Sequence, residues 1–184
     1  DRKKERFPCE KSKLSIAFLL QSSYTENRSG AKWSKKPLNP IKMEGKDMTG
    51  TYEHAIDAKG RLFIPAKLRE ELGVSFYLAM GVDACLAIYP QATWDRFTEK
   101  FASLPMSQSK VMRPLFANAA KCELDSQGRI VVPQKLRKYA GLEKDVVIIG
   151  VHDRAEIWAA DIWNEQEEEM TPEKMAACMA ELGF

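Results

Sequence analysis

Histidine is almost missing from this chain: His54 and His152 are its two occurrences in 184 residues. Metal centres and triad-type catalysts built on imidazole are therefore poorly supplied. Cysteine is sparse too. Cys9, Cys85, Cys122 and Cys178 are scattered with no C-x-x-C pair, which argues against a zinc site and a disulfide framework and points to a reducing, cytoplasmic compartment. Long apolar runs are lacking as well. Residues 14–20, L-S-I-A-F-L-L, fall far short of the ~20 residues a membrane helix takes. As a signal-peptide core they are at the short limit and no A-x-A-like site follows, so no membrane partner is expected. Nor is there a large net charge, with 28 Lys and Arg against 26 Asp and Glu, the balance of an ordinary soluble chain of one or two domains.

What the chain does have is a copy of itself. Residues 57–73, D-A-K-G-R-L-F-I-P-A-K-L-R-E-E-L-G, return 68 residues later as D-S-Q-G-R-I-V-V-P-Q-K-L-R-K-Y-A-G over 125–141. Asp57, Gly60, Arg61, Pro65, Lys67, Leu68, Arg69 and Gly73 recur as Asp125, Gly128, Arg129, Pro133, Lys135, Leu136, Arg137 and Gly141. A self-similar unit of this length is one supersecondary element that needs its copy, or another chain, to bury its apolar face.

The unit reads as strand, turn, strand, short helix. Tyr52, His54 and Ile56 alternate with Glu53, Ala55 and Asp57, the period of a half-buried strand. Gly60 and Gly128 supply the positive φ of a tight connection, which costs other residues about 1–2 kcal/mol. R-L-F-I-P is the second strand, Pro65 suits the first helical position, and Gly73 stops the helix. With one inserted residue the likeness continues: Gly81, Ile88, Tyr89 and Trp94 match Gly150, Ile157, Trp158 and Trp163, so each unit adds a glycine-turned hairpin and a helix.

Between the repeats, Trp94, Phe97, Phe101 and Leu104 share one helical face and are expected to be core. Residues 107–116 read as a linking loop with a short helix at 111–116, begun or interrupted by Pro114. After Trp163, Thr171 can cap a final helix opened by Pro172, an acidic solvated helix with one packing edge at Met175, Met179 and Leu182. Residues 1–47 carry 12 basic and 6 acidic side chains with no sustained period, which favours a disordered extension or leader. The expected division is 1–47, then 48–116 as the first repeat with its following helices, then 117–184 as the second with the acidic C-terminal helix. The expected architecture is a β-rich α+β module whose two units interlock about a pseudo-twofold, helices outside.

From Met48 onward 16 basic groups face 20 acidic ones, so a nucleic-acid site needs its cations gathered on one surface. Candidates are Arg61 and Arg129 at the turn exits, Lys59 and Gln127 beside them, and Lys67, Arg69, Lys135 and Arg137 on the helices. Two roles stand open for Arg61 and Arg129. They can close the turn on Asp57 and Asp125, and an arginine oriented in this way still has donors for a guanine edge or a phosphate. For the helix cations a plain solvated face is the competing reading.

At these residues the chain resembles the MraZ family, which carries two AbrB-like modules with a D-x-x-x-R motif in each, here 57–61 and 125–129. The likeness runs through Y-E-H-A-I-D-A-K-G-R, C-L-A-I-Y-P, C-E-L-D-S-Q-G-R-I and A-G-L-E-K-D-V-V-I-I-G. It covers residues 48 to the C-terminus and not the first 47. It implies a swapped-hairpin barrel of two tandem repeats with peripheral helices. It also implies a cytoplasmic, nucleoid-associated transcriptional regulator, usually a repressor, that forms ring-shaped homo-oligomers on double-stranded DNA. The sites implied are short G-containing direct repeats at the division and cell-wall gene cluster, read by the motif arginines. Gln127 in place of Lys59 makes the two repeats unequal.

Other classes fit less well. An aspartyl hydrolase sharing a proton between Asp57 and Asp125 would call for D-[ST]-G, whereas here two residues separate Asp from Gly and an Arg follows that keeps the carboxylate ionised. An AbrB-type antitoxin is disfavoured by the paired modules and the lack of a long toxin-wrapping tail. No enzyme activity, metal or cofactor is expected.

Overall fold

The computed structural model describes residues 47–183, so the expectations for the leading extension, including the apolar run at 14–20, lie outside the described residues apart from Asp47. The first repeat folds as β1 (Thr51–Ala55), β2 (Arg61–Phe63), α1 (Ala66–Leu72), β3 (Ser75–Met80), β4 (Leu86–Pro90) and α2 (Gln91–Ala102). A further helix, α3 (Met106–Asn118), leads to the second: β5 (Ala120–Glu123), β6 (Arg129–Val131), α4 (Gln134–Tyr139), β7 (Asp145–Val151), β8 (Arg154–Ala159), α5 (Ala160–Glu169) and α6 (Pro172–Glu181).

Strands are exchanged between repeats. A six-stranded antiparallel sheet runs β1-β7-β8-β4-β3-β5, and β2 and β6 form a separate two-stranded ribbon. β1 thus pairs with the second repeat, and β5 with the first. The register places a pseudo-twofold. Arg61 faces Val131 and Phe63 faces Arg129 about the central pair Leu62 and Ile130, while Leu86 faces Ile157 and Ile88 faces Ala155 about Ala87 and Glu156. The buried side chains follow the same symmetry. Leu62, Ile64, Leu68 and Leu78 share one core cluster with Ile130, Val132, Leu136 and Ile148, so neither repeat owns a complete core. This mixed α+β architecture with antiparallel sheets agrees with the interlocked pair expected from the repeat.

Six details differ from expectation. Pro65 and Pro133 precede their helices rather than opening them: their ψ angles are extended, 138° and 139°, and their carbonyls accept the first helical N–H groups, from Arg69 and Arg137, at 3.0 Å. That is N-cap behaviour. The helix expected at 111–116 is present but longer, and the loop before it is absent, because α3 runs unbroken from Met106 to Asn118 with Pro114 inside it. Phe116 packs against Trp94, Phe97 and Phe101 with ring centroids 4.3–5.6 Å away, and such packing outweighs a proline's local cost of ~3 kcal/mol. Of the predicted stripe, Trp94 is buried and Phe97 and Phe101 half-buried, but Leu104 lies beyond α2 and is exposed.

The hairpins are not turned by glycine either. Positive φ falls on Ala84 and His152, both 55°, whereas Gly81 and Gly150 are not in that region. Gly150 serves a close approach. A Cβ there would lie 2.8 Å from Thr49 Cα, where residues 48–50 run along β7 with Met48 bridging His152. The spacing also needs correction. Tyr52 faces Ile148 and its counterpart Ala120 faces Leu78, so β7 follows β3 by 70 residues, and one position is recovered in the shorter β7–β8 turn. At the C-terminus Thr171 does cap α6, its Oγ1 accepting from Lys174 N–H at 3.3 Å. The packing edge is unmet among the described residues: Met175, Met179 and Leu182 are exposed.

Candidate nucleic-acid interface

Both D-x-x-x-R motifs fold into the same three-residue connection. Gly60 N–H donates to Asp57 O at 2.8 Å and Asp57 N–H to Arg61 O at 3.0 Å, with 2.9 Å for both bonds in the second motif. Gly60 and Gly128 adopt φ of 77° and 76°, as a type I turn followed by a left-handed residue requires. Gly60→Val is accordingly expected to lower stability by at least about 1 kcal/mol. A urea titration checks this, and an unchanged midpoint would contradict it.

The aspartates fasten the turns from inside. Asp57 Oδ1 accepts the N–H groups of Lys59 and Arg61 at 2.9 Å each, and Oδ2 accepts Arg61 Nε at 2.6 Å. Asp125 repeats the pattern with Gln127 and Arg129, whose Nε and Nη2 lie 2.8 and 2.7 Å from Oδ2. The turn-closing role of Arg61 and Arg129 is therefore real, and it leaves other guanidinium donors unused on half-exposed side chains. Carboxylates engaged in this way are held ionised. Backbone donation from Arg61 leads the depression at Asp57, and the Arg129 side chain holds Asp125 down to about 2. A proton-sharing dyad needs one carboxyl raised.

The pH consequence follows from the sign. Asp125 is lowered from an ordinary 3.8 to about 2, so its stabilisation is complete above the ordinary value and lost as pH falls through the folded one. An NMR titration of the Asp125 carboxyl carbon is expected to give a midpoint near 2. A midpoint near 4 would mean that the Arg129 contact does not persist in solution.

The ribbon sets the two turns at opposite ends of one surface. Arg61 and Phe63, with Arg129 and Val131, point away from the core, while Leu62 and Ile130 point into it. Lys59 and Gln127 are exposed in the turns, and Lys67 and Lys135 are exposed in the first turns of α1 and α4. None of the turn contacts involves those two lysines.

Arg69 and Arg137 are not on a solvated face. Both are half-buried, with Arg69 against Gly128 and Arg137 against Gly60. Each therefore reaches the turn of the other repeat. Pattern reading also missed Phe63 and Val131, which stand exposed between the arginines. Their only sequence signal is an apolar residue two positions past each motif arginine.

Comparison with known proteins bears on this surface. The family model described as "MraZ protein, putative antitoxin-like" matches twice, over residues 48–112 and 115–181. A protein named Transcriptional regulator MraZ from Heliobacterium modesticaldum is 49% identical over 126 residues, covering 67% of this chain and 88% of the relative. Another of that name, from Symbiobacterium thermophilum, is 52% identical over 123 residues, 65% of this chain and 89% of the relative. A third, from Acetivibrio thermocellus, is 48% identical over 140 residues, 73% and 98% of the two chains. Both matched segments carry one Asp–Arg turn, and together they account for nearly all of the described fold: the chain belongs to the MraZ family.

Proposed function

We propose that the protein is a sequence-specific, double-stranded-DNA-binding transcriptional regulator. It acts as a repressor at the bacterial division and cell-wall gene cluster, its own promoter included, and grips short G-containing direct repeats as a ring-shaped homo-oligomer in the cytoplasm. The observation that carries this is the symmetric pair of Asp-braced arginines at the two ends of an outward-facing ribbon. A braced guanidinium with free donors is suited to a guanine edge, where a bidentate contact is worth about 1–3 kcal/mol of discrimination. Lys59, Lys67 and Lys135 add phosphate contacts in this reading. The exposed apolar side chains of α6, uncovered among the described residues, support self-association. We read the sheet and ribbon together as the swapped-hairpin barrel of the family. No catalytic role is assigned, since Asp57 and Asp125 are committed to their turns.

The same reading sets residues 1–47 apart as an extension, with 48–116 and 117–184 forming repeats that are complete only together. A chain beginning at Met48 is expected to melt within a few degrees of the full chain, and a drop of many degrees would refute the division. The regulatory role is tested by a low-salt binding assay on the DNA upstream of the protein's own gene against a scrambled duplex of equal length. Tighter binding to the former is expected, and equal binding would overturn sequence-specific recognition. The antitoxin reading, which the family description keeps in view, predicts a stoichiometric protein partner on purification.

A further inference from the structure

We propose that Arg69 and Arg137 are positioning residues that act across the repeats, Arg137 setting the turn that presents Arg61 and Arg69 setting the turn that presents Arg129. The role in DNA binding rests on the function proposed above. The placement itself does not.

Each turn glycine is held twice by the opposite repeat. Its carbonyl accepts a ribbon-end N–H, from Val132 to Gly60 O at 2.8 Å and from Ile64 to Gly128 O at 3.0 Å. Its Cα is covered by a guanidinium: a Cβ on Gly60 would lie 3.2 Å from Arg137 Cζ and Nη2, and one on Gly128 would lie 2.8 Å from Arg69 Cζ. A side chain at either glycine would therefore have to displace the opposite repeat's guanidinium, slightly at Gly60 and further at Gly128.

The same atom is orphaned in both copies. Arg69 Nε and Arg137 Nε are buried with no hydrogen-bond partner, and neither side chain is ion-paired among the described residues. A buried donor without an acceptor is unfavourable and calls for a reason. Contact with the turn glycine supplies one, since it holds the peptide immediately before the motif arginine. Arg61 and Arg129 are also each neutralised by an aspartate, so the opposite repeat's helix adds an unpaired positive charge beside each turn, joined at the first turn by the exposed Lys59.

The two locks are unequal. Arg69 is also seated over the Phe63 ring, its Cζ 5.1 Å from the centroid, whereas Val131 occupies the position equivalent to Phe63 and offers no ring.

Double-mutant cycles on the full chain test this, using the duplex upstream of its own gene at low salt. Arg137→Ala is expected to weaken specific binding about tenfold in the parent and in Arg129→Ala, but less than about twofold in Arg61→Ala, as residues in contact couple and distant ones add. Arg69→Ala should show the reverse pairing. Arg137→Lys, which keeps charge without the plane, should behave like Arg137→Ala, and Arg137→Gln, with a planar amide, should fall between them and the parent. Independently of DNA, amide exchange at residues 59–61 should accelerate in Arg137→Ala while residues 127–129 stay unchanged.

Additive losses in both backgrounds, or restoration by lysine, would make Arg137 a direct phosphate contact and overturn the proposal. Unaltered exchange at the first turn would overturn it as well. If the parent does not distinguish its own duplex from a scrambled one while exchange responds as stated, the DNA-binding role falls and the cross-repeat positioning stands.

Discussion

Arg61→Ala combined with Arg129→Ala is expected to abolish the preference for repeat-bearing DNA while leaving the fold largely intact. Each missing arginine–guanine pair costs roughly 1–3 kcal/mol, so two such pairs per chain, taken as additive, sum to roughly 2–6 kcal/mol. Several chains assembled on several repeats would multiply the loss. The fold survives because Asp57 and Asp125 still accept the backbone N–H groups of residues 59 and 61, and of 127 and 129, and the glycine carbonyls still bind the opposite strand. Non-specific binding should fall much less. Lys67→Ala is the contrasting case: a side chain that touches only phosphate, once truncated, weakens all sequences alike and lowers the salt slope by about one unit. Titrations on both duplexes with parallel thermal melts decide the matter. A double variant that binds the promoter as tightly as the parent but melts far below it would reduce the arginines to turn braces.

Leu62→Ala is expected to be the most damaging single truncation in the ribbon. Leu62 is 0% exposed, faces Ile130 across the pseudo-twofold, and points from a three-residue strand into a core built by both repeats. Removing such a side chain costs about 2–5 kcal/mol, a large share of the roughly 5–15 kcal/mol that holds a typical domain. Both turns should suffer together because β2 and β6 carry both. Leu62→Ile, which conserves volume, should lose less than about 1.5 kcal/mol. Urea midpoints measure the difference, and a loss below about 1 kcal/mol for Leu62→Ala would show that the ribbon is not fastened through its centre.

Much of this was legible in the sequence because the decisive contacts are local. Asp57 and Arg61 stand four residues apart, so their pairing and the glycine between them could be read from spacing, and Thr171 followed by Pro172 announced a helix start. Non-local features were not legible. Nothing near Tyr52 says that its neighbour is Ile148 rather than a strand of its own repeat, and the register shift at β7 is visible only through that pairing. Pro114 marked a break that the aromatic packing of Phe116 overrode. Arg69 and Arg137 looked like surface cations because helical position alone does not show that a glycine from the other repeat lies beneath them.

Guanine N7 methylation interference on the promoter duplex tests the central claim most directly, because a methyl group on N7 blocks the major-groove edge to which an arginine would donate. The account predicts interference at guanines within the short repeats for the parent, and loss of a defined subset of those signals in Arg61→Ala and of another in Arg129→Ala. Tight parent binding that is indifferent to N7 methylation would contradict it.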